Sequence, residues 1–219
     1  MILSIQVLWL KTGKVYVLYR AEDKFGIGIG FRTSRLGLAE SKDGIHFTRR
    51  KEPFYFLVMT HRRNLNGRRI EDPRLAVTED GTYVVFYTQW NRKIPRLGVG
   101  LPEDLVTWEK HGPIFRNAKF QKVFNEPHKS ASIVTKLKDD KLVISKVGGK
   151  YFMYWGEHGV SGATSTDLIN WEPVLNEKGE LAKFIIPREG YFDSALTECG
   201  PPAIITDKGI LLLYNGKKP

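Results

Sequence analysis

Two adjacent carboxylates, a proline and an arginine stand together at Glu71-Asp72-Pro73-Arg74, between a basic, glycine-containing stretch (Arg62 to Arg69) and the apolar run Leu75-Ala76-Val77. Paired carboxylates on a stiff backbone are the residue types that general acid–base chemistry requires. Proline fixes its own φ and pushes Asp72 toward an extended, non-helical conformation. Arg74 is close enough in sequence to hold a carboxylate by a charge-assisted hydrogen bond. The plainer reading of the same residues is a strand-entry turn closed by a local ion pair. Other polar residues break apolar runs at comparable places: Arg20, Asn91 with Arg92, His128 with Lys129, Glu157 with His158, Asp193, Glu198 and Asn215. Whether they converge depends on the elements that carry them.

Those elements repeat. Gly13-Lys14-Val15-Tyr16-Val17-Leu18-Tyr19, Gly81-Thr82-Tyr83-Val84-Val85-Phe86-Tyr87, Gly149-Lys150-Tyr151-Phe152-Met153-Tyr154-Trp155 and Gly209-Ile210-Leu211-Leu212-Leu213-Tyr214 read alike. Each is a turn glycine followed by a β-branched or aromatic run, the pattern of a buried strand after a hairpin. The glycines are spaced 68, 68 and 60 residues apart. A second motif interleaves with them, an aspartate four positions before an aromatic: Asp43 and Phe47, Asp104 and Trp108, Asp167 and Trp171. It predicts an aspartate-initiated turn at a strand end, with the aromatic packed back beneath the next sheet. Two motifs sharing one long period predict sheets repeated radially, an all-β propeller of which about four blades are present. In that architecture polar residues at strand ends line the mouth of a central channel.

Composition is ordinary for a globular chain: 219 residues, 42% hydrophobic and 26% charged. The single cysteine, Cys199, excludes an internal disulfide and a cysteine-based zinc cluster. No His, Asp and Glu constellation has metal-ligand spacing, so no metal or other cofactor is expected. Met1 to Leu10 is apolar but lacks a basic leader and is too short to span a membrane. A cytoplasmic location and no membrane partner are therefore expected. The net charge of +10 is concentrated between Arg49 and Arg74, and no nucleic-acid motif accompanies it, so a solvated loop is the expectation and nucleic acid is not. A homo-oligomer stays open.

Several motifs, in order, resemble glycoside hydrolase family 130: Tyr19-Arg20-Ala21, Ile70-Glu71-Asp72-Pro73-Arg74, His128-Lys129-Ser130-Ala131, Met153-Tyr154-Trp155-Gly156-Glu157, Tyr191-Phe192-Asp193-Ser194 and Gly200-Pro201-Pro202. The resemblance runs from about Val7 to the C-terminus. It implies a five-bladed propeller acting on β-mannosidic bonds, as a mannoside phosphorylase or, in one branch, as a hydrolase. It also implies that Asp72 is the general acid, which requires a carboxyl still protonated near neutral pH in a dry pocket beside Glu71. Arg20, Glu71, Arg74, Asn91, Arg92, Lys129 and Asp193 fall at or near sugar- or phosphate-binding positions. His128, His158 and Asn215 adjoin them, while Trp90, Trp155 and Tyr191 read better as core packing than as sugar platforms.

Two departures bear on the reaction. The phosphorylases tend to carry glycine-alanine-glycine before the paired prolines and tyrosine-histidine-glycine on the next strand. Here the residues are Glu198-Cys199-Gly200 and Tyr214-Asn215-Gly216. An added carboxylate and a lost histidine disfavour an anionic nucleophile, and Glu157 adds a further negative group. Inverting hydrolysis needs an acid and a base ~6.5–9.5 Å apart with water between them. Asp72 with Glu198 or Glu157 supplies both roles. The expectation is thus an inverting β-mannosidase, β-1,2-linked manno-oligosaccharides being the substrate guess. The alternatives are a phosphorylase using inorganic phosphate as co-substrate, a catalytically dead carbohydrate-binding propeller, or a basic scaffold. Relative to the family the chain 1–219 reads as a single propeller domain clipped at the front and short of most of one blade.

Overall fold

The computed structural model describes residues 2–9, 13–22, 34–51, 69–91, 93–102 and 108–219. In the first sheet, β1 (Ile2–Trp9), β2 (Val15–Glu22), β3 (Ser34–Ser41) and β4 (Thr48–Arg49) run antiparallel in sequence order. A second meander repeats this with β5 (Arg69–Val77), β6 (Tyr83–Trp90), β7 (Pro95–Pro102) and β8 (Trp108–Pro113). One helical turn, α1 (Lys122–Asn125), leads into a third group. It holds β9 (Ser132–Lys138), β10 (Lys141–Ile144), β11 (Lys146–Val147), β12 (Lys150–Trp155), β13 (Val160–Ser165), β14 (Glu172–Pro173) and β15 (Lys183–Ile185). Last come β16 (Leu196–Cys199), β17 (Ala203–Thr206), β18 (Gly209–Leu211) and β19 (Tyr214–Lys217). The fold is all-β, of the repeated-meander, propeller class.

Parallel bridges join successive groups: β5 to β10 at Val77 and Val143, and β9 to β17 at Val134 and Ala203. The second and third groups and the β17–β18 hairpin therefore form one curled sheet, with β16–β19 a separate ribbon. Strand β6 shows why the curl is stable. Its side chains alternate, so Val84 and Phe86 enter one core with Val99, Phe115, Ile133, Met153 and Trp171, while Val85 and Tyr87 enter another with Leu18, Leu36, Leu38 and Leu75. A strand buried on both faces must be apolar throughout, as this one is between Val84 and Tyr87. Each such side chain contributes about 1.5–3 kcal/mol by leaving water.

The four turn glycines, Gly13, Gly81, Gly149 and Gly209, have φ of 71°, 89°, 81° and 121°, the left-handed region that disfavours a Cβ. The aspartate turns form as expected at both described sites. Asp43 Oδ1 accepts from the Ile45 and His46 amides, and Asp167 Oδ1 from the Ile169 and Asn170 amides. Trp171 packs edge-on to Phe86 as the motif predicts, whereas Phe47 stays 39% exposed. The Asp104 turn lies outside the described residues, as does the basic stretch Arg62 to Arg68.

Two expectations are corrected. The Gly209 run is not one strand, because it breaks at Leu212-Leu213 into β18, paired with β17, and β19, paired with β16. The break faces Gly200-Pro201-Pro202, and two prolines offer no amide to a ladder. Asp72 is not extended. Its φ is 48°, at an irregularity of the β5–β6 register between Glu71 and Arg74. A β-bulge re-aims side chains, and here it accommodates a backbone that a residue before proline otherwise avoids.

Candidate active site

Alternation along β2 puts Arg20 and Glu22 on one face, and the β2–β3 register sets Glu22 opposite Ser34. The bulge in β5 brings Glu71 and Asp72 to the same place. Arg20 Nη1 donates to Asp72 Oδ1 at 3.0 Å, Nη2 donates to Glu22 Oε1 at 2.6 Å and lies 3.3 Å from Glu71 Oε1. Ser34 Oγ bridges the Glu22 and Glu71 carboxylates at 3.2 and 3.3 Å. Burial alone would lower the Arg20 pKa, but Asp72, Glu71 and Glu22 outweigh it and hold it above the ordinary arginine value. Asp72 keeps 14% of its side-chain surface exposed.

A second cluster forms where β9 begins and where β12 and β16 end. Lys129 Nζ lies 3.1 Å from Glu157 Oε1 and 3.7 Å from Glu198 Oε1. Ser130 Oγ donates to the same Glu198 oxygen at 2.6 Å. Gly156 N–H donates to the Lys129 carbonyl at 2.9 Å, so the strand end that carries Glu157 is fixed to the residue it pairs with. Burial would lower the Lys129 ammonium, yet Glu198 and Glu157, with Asp72 as a weaker contributor, hold it above the usual lysine value. The influence of Asp72 on Lys129 ties the two clusters together. Arg20, Glu71 and Asp72 thus form one cluster, and Lys129, Glu157 and Glu198 a second within electrostatic reach of it.

The remaining sequence candidates divide. Asp193 is fully buried and accepts from Tyr214 Oη at 2.7 Å and Arg188 Nε at 3.0 Å. Burial would raise its carboxyl, but those two donors outweigh it and keep the pKa below the ordinary value. Arg74 is a buried strut whose Nε and Nη2 donate to the carbonyls of Gly200 and Cys199. His128 is not positioned as a sugar contact. It is 2% exposed and packs edge-on to Phe115 and Trp155, while Nδ1 accepts from the Leu97 amide. Asn91 caps its own turn by accepting from the Lys93 and Ile94 amides, and Arg92 lies outside the described residues. His158 is exposed, with Nδ1 2.8 Å from the Ala195 carbonyl oxygen. Asn215 is exposed opposite Glu198 in the β16–β19 ladder.

Trp155 is in the core, whereas Tyr191 is 60% exposed with the Arg188 guanidinium 4.8 Å from its ring centre. Sequence reasoning missed Glu22, Ser34, Ser130, Arg188 and Tyr214. For Glu22 the signal was available, since i and i+2 on a strand share a face. Cys199 is buried and its thiol is pushed up to about 12, which removes it as a nucleophile at neutral pH. Among the described residues no group of His, Cys, Asp and Glu is arranged to hold a metal ion.

Repeated meanders with ion-paired carboxylates gathered at their strand ends define a protein of the propeller class. The chain belongs to glycoside hydrolase family 130, whose sequence model, described as β-1,4-mannooligosaccharide phosphorylase, matches residues 9–218. A 1,2-β-oligomannan phosphorylase of Thermoanaerobacter sp. (strain X514) is 32% identical over 216 residues, covering 93% of this chain and 60% of the relative. A crystal structure from Bacteroides thetaiotaomicron VPI-5482 is 59% identical, with a TM-score of 0.92 over all of this chain and 62% of that one. Another, 54% identical with a TM-score of 0.92 over all of this chain and 61% of that one, is described in these words: the family of mannoside phosphorylases contains glycoside hydrolases that target β-1,2 mannosidic linkages in Candida mannan. The chain therefore spans about 60% of the length of these relatives.

Proposed function

We infer that this chain carries the site of an inverting glycosidase that cleaves β-mannosidic bonds, with β-1,2-linked manno-oligosaccharides as substrate. Asp72 protonates the leaving oxygen, and Glu198 and Glu157 activate water on the opposite side. Arg20 and Lys129 orient the carboxylates, and the buried Asp193 holds Arg188 and Tyr214 in place. The observation that carries the reading is the pairing of Lys129 with both Glu157 and Glu198, at 3.1 and 3.7 Å. A phosphate entering there would meet two carboxylates and a cation already neutralised. Like charges 4 Å apart near a protein surface repel by about 4 kcal/mol at an effective dielectric constant of 20. Water meets no such barrier and finds acceptors for its proton. The hydrolases named for the 54% identical structure support the same branch.

A second reading, a phosphorylase releasing mannose 1-phosphate with inorganic phosphate as co-substrate, is favoured by the 32% identical oligomannan phosphorylase. The two separate on product. Incubation with β-1,2-mannobiose, with and without phosphate, is expected to release free mannose at the same rate in both. Mannose 1-phosphate formed only with phosphate overturns the hydrolase. Binding without turnover, unchanged in Asp72→Asn, would leave a carbohydrate-binding protein.

A further inference from the structure

Ser130 has no role in the scheme above, yet its setting is unusual in three respects. It is 1% exposed, its φ is 58°, and its hydroxyl donates to Glu198 at 2.6 Å across two groups of strands. A non-glycine residue in the left-handed region costs free energy, so the surrounding structure must over-determine it. Here the neighbours do so. The preceding carbonyl, that of Lys129, is held by the Gly156 amide, and the following strand is pinned where Ser132 Oγ donates to the Pro201 carbonyl at 2.6 Å. The strained residue is thus clamped on both sides, and the conformation aims its hydroxyl at the carboxylate.

We propose that Ser130 is the positioning residue for Glu198, holding one carboxylate oxygen so that the other faces the reacting water. Both contacts of Glu198 converge on Oε1, from Ser130 Oγ and from Lys129 Nζ. Among the described residues Oε2 makes no hydrogen bond and is left to accept from water. Lys129 alone cannot fix the rotamer, because its ammonium is shared with Glu157 and stands nearer to it, 3.1 against 3.7 Å. Without the hydroxyl, Glu198 has one mobile partner whose stronger attachment is elsewhere. Ser130 supplies the short directional bond, from a backbone that cannot follow a moving side chain. Its part in catalysis rests on the hydrolase reading, while the contact does not.

The test compares wild type, Ser130→Gly, Ser130→Ala, Glu198→Gln and the double variant Ser130→Gly with Glu198→Gln. Glycine removes the hydroxyl and relieves the positive φ, and alanine removes the hydroxyl and keeps the strain. A purely structural role would therefore make the alanine variant much the worse in turnover. A positioning role makes both lose kcat alike, by about tenfold with KM changed less than about twofold, although alanine alone lowers the melting temperature. In the Glu198→Gln background the glycine substitution is expected to change kcat by less than about twofold. Additive losses, or a loss carried by KM, overturn the proposal. The contact is read separately from crystal structures of wild type and Ser130→Gly. Glu198 in the same rotamer in both overturns it whatever product is formed, whereas mannose 1-phosphate from wild type overturns the hydrolase reading alone.

Discussion

Arg74 Nε donates to the carbonyl oxygen of Gly200 at 2.9 Å, bridging strands 126 residues apart in the chain. Its Nη2 reaches the neighbouring Cys199 carbonyl at 3.4 Å, so one guanidinium joins two successive carbonyls at the end of β16. Through it, the bulge carrying Asp72 is tied to the strand carrying Glu198. Arg74→Met should leave buried carbonyls unpaired and cost about 2–4 kcal/mol in urea unfolding. Arg74→Lys should recover less than half of that, since a point donor cannot reproduce the fork. A loss below about 0.5 kcal/mol for Arg74→Met would show that the strut is dispensable.

Lys129 is the cation between Glu157 and Glu198, so its removal is not a simple loss of one contact. Lys129→Met is expected to destabilise the fold by about 1–3 kcal/mol by leaving two neighbouring carboxylates uncompensated. Adding Glu157→Gln should restore part of that stability, because one of the repelling charges is gone. Thermal unfolding of the single and double variants checks the sign. If the second substitution destabilises further, the carboxylates do not share the lysine.

Asp72→Asn keeps the size of the side chain and an acceptor for Arg20 while removing the proton donor. Turnover of β-1,2-mannobiose should fall by about 10²–10⁴-fold with the fold retained by circular dichroism. An activated mannoside whose leaving group needs no proton should be spared most of that loss. Equal losses on both substrates would remove Asp72 from the acid role.

His128 couples stability to pH. Burial, with a smaller effect from Arg96, lowers its pKa from 6.5 to about 3 in the folded chain. The unfolded imidazole takes up a proton below about pH 6.5 and the folded one does so only near pH 3, so protons favour the unfolded state between those values. Stability should be fully present above pH 6.5 and decline as pH falls toward 3, by a total on the order of 5 kcal/mol. His128→Asn offers an oxygen to the Leu97 amide but cannot titrate. It should be less stable at pH 7 and should flatten that part of the profile. A wild-type profile already flat from pH 6.5 to 4 would place His128 in water.

The sequence made the repeat legible because strand and turn chemistry are local. A turn glycine needs only its own φ, and the aspartate of an Asx turn bonds amides two and three residues on, so both survive translation into one dimension. The strand-end residues Arg20, Asp72, Lys129, Glu157 and Glu198 were legible for the same reason, as polar interruptions of apolar runs. What failed was non-local. Whether His128 faces the site or the core depends on Phe115 and Trp155, contributed by other parts of the chain. The break in the Gly209 run depends on prolines in the partner strand, and Ser130 depends on Glu198, 68 residues away. Nothing adjacent to these residues announces the partner.

Asp72 and Ser130, one at each carboxylate cluster, both have positive φ, 48° and 58°, without being glycine. Glycine at either place would relax the backbone at little steric cost. A breeder selecting this protein only for heat tolerance would thus be rewarded for erasing these two side chains along with those at other positive-φ positions such as Asp139 and Asp140. Variants that survive boiling and do nothing are the natural product of such a search, and a selection that keeps turnover in its readout is the way to avoid them.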